Sequence, residues 1–264
     1  MKIILLNDTS YYHFGCEQVM NVLKKYYNPT NICKTQQTLS KKDIENSDLV
    51  VLNGEGILHH DQANAKKFLD YIKTAQELKK QTHIINAVWQ KMDKSWLPIL
   101  KKCDLLEVRE CLSQKEIICN SNVVLDASIH SEVKKSIDPR YGVCLGGSFY
   151  GEINIDCPHQ KINIFKQKWD ELVKILQKSE LLITGRHHEM YAALQARTPV
   201  MVISGNTWKN EGFFHTVEAK NLLLKPSKEN ISDVLNGKYK YDWDNIWRYL
   251  DKYDYKFLNK TYSR

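Results

Sequence analysis

Short apolar runs recur along this chain and alternate with longer stretches whose apolar positions fall at helical spacing. Residues 2–7 are rich in Ile and Leu and read as a first strand, bounded by Asp8-Thr9-Ser10. A loop over 11–15 leads into a helix at 16–26, with Val19, Met20, Val22 and Leu23 on one side. Residues 41–47 read as a short helical link, and 48–52 as a second strand that runs into Asn53-Gly54-Glu55-Gly56. Next come a helix at 68–80, a strand at 82–88, a short helix at 96–101 and a strand at 105–110. A short helix at 113–119 and a strand at 122–125, ending at Asp126, follow. Residues 127–140 are polar and look like a crossing segment. The alternation then restarts with a strand at 141–145 leading into Gly146-Gly147-Ser148. A helix at 165–179 places Trp169, Leu172, Val173 and Leu176 at helical spacing. Residues 181–184 are a strand, and the helix after it runs through Arg197 until Thr198-Pro199 stops it. Strands at 200–204 and 221–224, a helix at 228–235 and one more helix over 239–262 complete the reading.

Strands that alternate with helices predict an α/β protein, with parallel sheets covered by helices on both faces. The two halves share a plan. They suggest two Rossmann-like domains facing a cleft, one over 1–130 and one over 141–264 that includes the C-terminal helix. Ligands of such sheets sit beyond the C-terminal ends of the strands, where the polar corners of this chain fall.

Composition narrows the class. With 264 residues, 42% hydrophobic and 26% charged, the chain has the make-up of an ordinary globular protein. No apolar run approaches the roughly 20 residues of a membrane span. The start turns polar too soon for a signal peptide, so the cytoplasm is the expected location. Seven cysteines are scattered with no C-x-x-C pair, which argues against a disulfide framework and against a zinc site. No metal and no cofactor is expected. The net charge of +7 is dispersed among acidic residues without a dense basic block, so nucleic acid is not expected as a partner.

Five corners could carry chemistry. At Asn7 to Gly15, Gly15 just before a helix lets the backbone approach a ligand closely, and Asp8 or Thr9 could hold a hydroxyl, or the loop could be an ordinary capped connection. At Asn53 to Gly56, Gly54 and Gly56 permit close approach of a ligand to main-chain N–H groups. Two glycines fall short of a dinucleotide fingerprint. Glu55 between them is a candidate general base for a sugar hydroxyl, with a solvated turn residue as the alternative. His59, His60 and Asp61 could pass for metal ligands, but neighbours on a helix point apart, so contact with substrate or plain surface is preferred. Arg109 at a strand end could grip a carboxylate or phosphate, or simply pair with Glu107 or Glu110. Asp126 could orient a neighbour or cap. In the fourth corner, Thr184-Gly185-Arg186-His187-His188 sets cationic side chains beside the free N–H groups of a helix start, which suits an anion. The fifth, Ser204 to Gly212, offers Asn206 and Lys209 as a second anion grip.

Several of these elements resemble the polysaccharide pyruvyl transferase family. The resemblance rests on Asn53-Gly54-Glu55-Gly56, on Arg109-Glu110-Cys111-Leu112-Ser113 and on Asp126. It rests above all on the Thr-x-Arg-x-His turn Thr184 to His188, with Ala192-Ala193-Leu194, Pro199-Val200 and Asn206-Thr207-Trp208-Lys209 after it. By this resemblance Arg186 would bind the carboxylate or phosphate of phosphoenolpyruvate, His188 would act as general acid, and Arg109 would be a second anion contact. His187, Asn206, Lys209, Gly54 and Gly56 would complete the donor site, and Asp8, His13, His59 and His60 the acceptor site. The implied architecture is that of the GT-B-like glycosyltransferases, and the implied setting is cell-surface polysaccharide biosynthesis (capsule, lipopolysaccharide or exopolysaccharide).

Glu55 interrupts the family's usual run of three glycines, and that opens an alternative: a glycosyltransferase of the same fold with Glu55 as base. Its donor would be a nucleotide sugar, such as a CMP-activated acidic sugar, whose carboxylate and phosphate the same cations would serve. A non-catalytic carbohydrate-binding protein is a third reading. The acceptor would be a glycan, free or lipid-linked. Trp243, Ile246, Trp247, Leu250, Tyr253 and Phe257 recur at helical spacing in the tail. They predict a helix that packs back on the body, or else an amphipathic surface in peripheral contact with the inner membrane.

Overall fold

The computed structural model describes residues 1–130, 140, 142–161 and 167–253. Most of the expected crossing segment, the start of the helix expected at 165–179, and the tail after Tyr253 lie outside them. The first half runs β1 (Ile3–Asp8), α1 (Phe14–Tyr27), β2 (Asn31–Lys34), α2 (Lys41–Glu45), β3 (Leu49–Asn53), α3 (Ala63–Glu77) and β4 (Gln81–Ala87). It continues through α4 (Leu97–Leu100), β5 (Leu105–Val108), α5 (Cys111–Ile117) and β6 (Asn122–Val123). The second half runs β7 (Val143–Leu145), β8 (His159–Lys161), α6 (Trp169–Gln177), β9 (Leu181–Thr184), α7 (His187–Ala196) and β10 (Val200–Val202). It ends with α8 (Lys209–Thr216), α9 (Lys228–Leu235) and α10 (Lys240–Lys252). Two compact units result. One comprises Met1–Tyr12 with Met20–Ala127, the other His13–Val19 with the chain from Ser128 onward.

The fold is α/β, with two sheets whose registered strand pairs are all parallel. The first unit has six strands in the order β2-β1-β3-β4-β5-β6. All six residues of β1 and all five of β3 are buried. That explains why these strands are continuous apolar runs rather than alternating ones: helices cover both faces of the sheet. Local chemistry starts the helices. Ser40 and Asp43 form a reciprocal capping box at α2, and Glu110 caps α5 by accepting from the N–H groups of Leu112 (2.6 Å) and Ser113 (3.0 Å).

The second unit has four strands in the order β10-β9-β7-β8. Its core joins Val143, Leu145, Leu181, Ile183 and Met201 of the sheet to Ile231 and Val234 of α9. Residues His187 to Leu194 of α7 are all buried. A helix enclosed all round loses the one-sided apolar stripe of a surface helix, and Ala192 and Ala193 let its neighbours approach.

One expected strand is absent among the described residues and three elements were not foreseen, each for a physical reason. The strand expected at 221–224 is a 3₁₀ turn, Lys220–Leu222, in which the Asn221 side chain donates to Asp242 (3.2 Å) and only Leu222 enters the core. A run of three leucines does not by itself distinguish a strand from a buried turn. The polar corner after Ser204, for which no element was predicted, starts helix α8 at Lys209, and Phe213 and Phe214 of that helix are buried. The edge strands β2 and β8 were missed because they are short and mostly exposed, and β8 carries no apolar residue at all.

Candidate active site

In the second unit the ends of β7 and β9 converge on one polar corner. Thr184 closes β9, and its hydroxyl accepts from the Arg186 N–H (2.9 Å) and donates to Glu189 Oε2 (2.5 Å). Glu189 sits in the first turn of α7, and its Oε2 also accepts from the N–H of Gly147, just past β7 (2.9 Å). One carboxylate thus ties two strand ends together. It is wholly buried, and burial raises its pKa to about 7 against the pull of Thr184, Gly147, Arg186 and His188. The fit leaves no slack at Gly146, where a Cβ would stand 2.1 Å from Glu189 Oε2.

Arg186 is the N-cap residue of α7, at the start of the helix. It lies along Gly147, where a Cβ would come within 3.2 Å of Arg186 Nε, and that buried nitrogen has no hydrogen-bond partner among the described residues. His188, the second residue of α7, packs its Cβ and ring carbon over the backbone of Gly15, where a Cβ would clash with them. The freedom expected of Gly15 near a ligand thus serves His188. The His13 ring lies 5.2 Å from the His188 ring, centroid to centroid.

His187 points elsewhere. Its Nδ1 contacts Asn210 Oδ1 of α8 (3.1 Å), its ring packs on Tyr191 at 4.7 Å, and Asn210 donates to the Gly185 carbonyl (3.4 Å). It holds α7 and α8 together from a buried position. Lys209 opens α8 and donates to Asn206 Oδ1 (3.3 Å), so these two residues sit together after β10.

In the first unit the ends of β1 and β3 share a second polar network. The Asn7 side chain donates to the carbonyls of Asn53 (2.8 Å) and Glu55 (3.0 Å), and the Thr9 hydroxyl donates to Glu55 Oε2 (2.6 Å). Glu55 is buried, which removes the solvated-turn alternative. Gly54 is packed against Ala87, where a Cβ would lie 2.6 Å away, and Gly56 takes φ +70°. Asp8 accepts from the Ser10 N–H (2.9 Å) and pairs with Lys24 at 3.4 Å, so it shapes its own turn. Arg109 pairs with Asp126, and both are buried. His59 and His60 do not lie on a helix. They occupy a turn in which His60 and Asp61 take positive φ, and the ring nitrogens of the two histidines are 3.0 Å apart.

The structure brings Arg186 and His188 to one corner, with His13 beside them. Asn206 and Lys209 sit together after β10, and Glu55 is set into the first unit's network. Glu189, Asn210, Gly147 and Cys16 belong to these corners and were missed. Their signals are weak: a Glu in a helix first turn is commonplace, and Cys16 acquires neighbours only through the fold.

A sequence profile described as polysaccharide pyruvyl transferase matches residues 6–207. No curated protein matches the sequence. Among solved structures, the chain is similar to a candidate UDP-N-acetylglucosamine 2-epimerase of Listeria monocytogenes, with 12% identity and a TM-score of 0.56 over 98% of this chain and 93% of that one. It is also similar to a protein of uncharacterised function from Klebsiella pneumoniae, with 14% identity and a TM-score of 0.52 over 81% and 87% of the two chains. At these identities the likeness concerns the fold.

Proposed function

Since this chain belongs to the polysaccharide pyruvyl transferase family and is a transferase, we propose that the β9–α7 corner binds phosphoenolpyruvate and activates it for transfer to a sugar. The observation that carries this reading is Arg186, whose buried Nε has no hydrogen-bond partner among the described residues, standing at the same helix start as His188. Arg186 and the first N–H groups of α7 hold the donor's carboxylate or phosphate. His188 gives a proton to the donor's methylene carbon, which leaves a cation at the adjacent carbon. A sugar hydroxyl adds there and loses its proton, phosphate departs, and a second hydroxyl closes the ketal. The balance is one phosphoenolpyruvate and one diol giving one pyruvate ketal and one phosphate. Glu55, held by Thr9, is the candidate base for a hydroxyl. The wider setting we assign is surface-glycan assembly, with a glycan acceptor.

A thermal-shift series with phosphoenolpyruvate, CMP, UDP and GDP tests the donor. Phosphoenolpyruvate should raise the melting temperature, with about 2.7 kcal/mol of stabilisation at a hundredfold excess over Kd, and Arg186→Ala should abolish the response. A response to a nucleotide and none to phosphoenolpyruvate would replace this donor with a nucleotide sugar.

A further inference from the structure

Cys16 and His13 stand together with His188, which is far from them in sequence. We propose that they form a binding site for a soft divalent cation of the zinc type. Each offers one ligand atom, and the three atoms lie within 4.8 Å of one another. Cys16 and His188 are buried, and His13 is half-buried. The Cys16 Sγ to His13 Nε2 edge is 3.4 Å. Two ligands of a tetrahedral zinc, with bonds of about 2.3 Å to sulfur and about 2.0 Å to nitrogen, stand roughly 3.5 Å apart, so this edge already has the required length. One thiolate and two imidazoles suit zinc or cobalt rather than magnesium or calcium. They leave a fourth position for water or an anion.

The backbone supports the site. Cys16 lies in the first turn of α1, which fixes its backbone. Gly15 lets His188 close against that same turn, because any Cβ at position 15 would occupy its place. Coordination releases the Cys16 proton and leaves both imidazoles neutral. Binding through His13 Nε2 moves the ring proton to Nδ1, so the ring gives up the Gly15 N–H that Nδ1 accepts at 3.2 Å. The ion takes the same His188 that the proposed function uses as proton donor, and in that respect the inference rests on that reading. A metal-bound imidazole has no proton to give, so occupancy makes the cation an inhibitor and a chelator its antidote.

Cobalt titration of the full chain, freed of metal beforehand, reads the site without any transfer assay. One equivalent should bring up a sulfur-to-cobalt charge-transfer band together with the visible bands of a tetrahedral ion. Cys16→Ser should remove the charge-transfer band and weaken zinc at least about tenfold, or about 1.4 kcal/mol. The same change at Cys33, buried elsewhere in the chain, should alter neither. Should Cys16→Ser fail to fold by circular dichroism, His13→Asn carries the same loss of affinity at a half-exposed position. A cobalt spectrum without the thiolate band, or zinc affinity unchanged by either variant, overturns the site. Phosphoenolpyruvate binding to the metal-free protein would still stand in that case. Its failure would leave the cobalt result untouched.

Discussion

Replacing Glu189 with Gln removes one proton equilibrium from the centre of the β7–β9 corner and keeps the shape of the side chain. The carboxyl is wholly buried, and burial lifts its pKa from 4.5 to about 7. Between those values the folded protein holds the proton and the unfolded chain has lost it. Stability from this group is therefore fully present below pH 4.5 and is lost as pH rises toward 7. The gap corresponds to about 3 kcal/mol. Glu107, also raised to about 7 by burial, acts in the same direction, while His83, lowered to about 4 by burial, opposes both. A single pH profile mixes all three, and the difference between wild type and Glu189→Gln isolates one. The Gln oxygen can still accept from Gly147 and Thr184, but its amide replaces an Oε1 that has no hydrogen-bond partner among the described residues. That costs about 1–3 kcal/mol at every pH. Urea unfolding at intervals from pH 4.5 to 8 should thus show the variant weaker in acid and gaining on wild type by about 3 kcal/mol as pH rises. A difference that stays flat to within about 0.5 kcal/mol would mean that Glu189 does not hold its proton, and the account of the corner would fall.

Two further substitutions probe its surroundings. Gly15→Ala must displace His188; it should cost about 1–3 kcal/mol in melting experiments, as overpacking does, and depress pyruvyl transfer more than phosphoenolpyruvate binding. Arg109→Ala breaks a buried ion pair with Asp126 and should cost about 3–5 kcal/mol in urea unfolding, whereas removing Lys238 from its exposed pair with Asp233 should leave the unfolding midpoint essentially unchanged.

The sheets were legible because their central strands are buried on both faces. Leu49 to Leu52 could hardly be anything else, and the run Leu181 to Thr184 before an Arg-His turn was equally plain. What escaped was decided by neighbours rather than by local pattern. The edge strand β8, His-Gln-Lys, has no apolar signal. Helix α8 begins inside a stretch rich in Asn, Thr and Gly, and only Phe213 and Phe214 marked its buried side. Two members of the corner, Arg186 and His188, could be found from their spacing after a strand. Glu189 could not, because its importance comes from Gly147 on a different strand end. The cysteine count gave no hint of Cys16 either, since its two histidine neighbours are three positions before it and far downstream in the chain.

Gly146 and Glu189 bear on how this corner can change over generations. The carboxylate occupies the volume that a Cβ at position 146 would need, so the two positions cannot drift independently. A lineage that carries Ala at 146 has no room for Glu at 189, while one that carries Gly at 146 tolerates a small residue at 189 and leaves a gap. Single steps between the two pairings must therefore pass through glycine, and reversal requires the glutamate to go first. The corner works as a ratchet in sequence space: once the carboxylate is in place, position 146 is no longer free to vary.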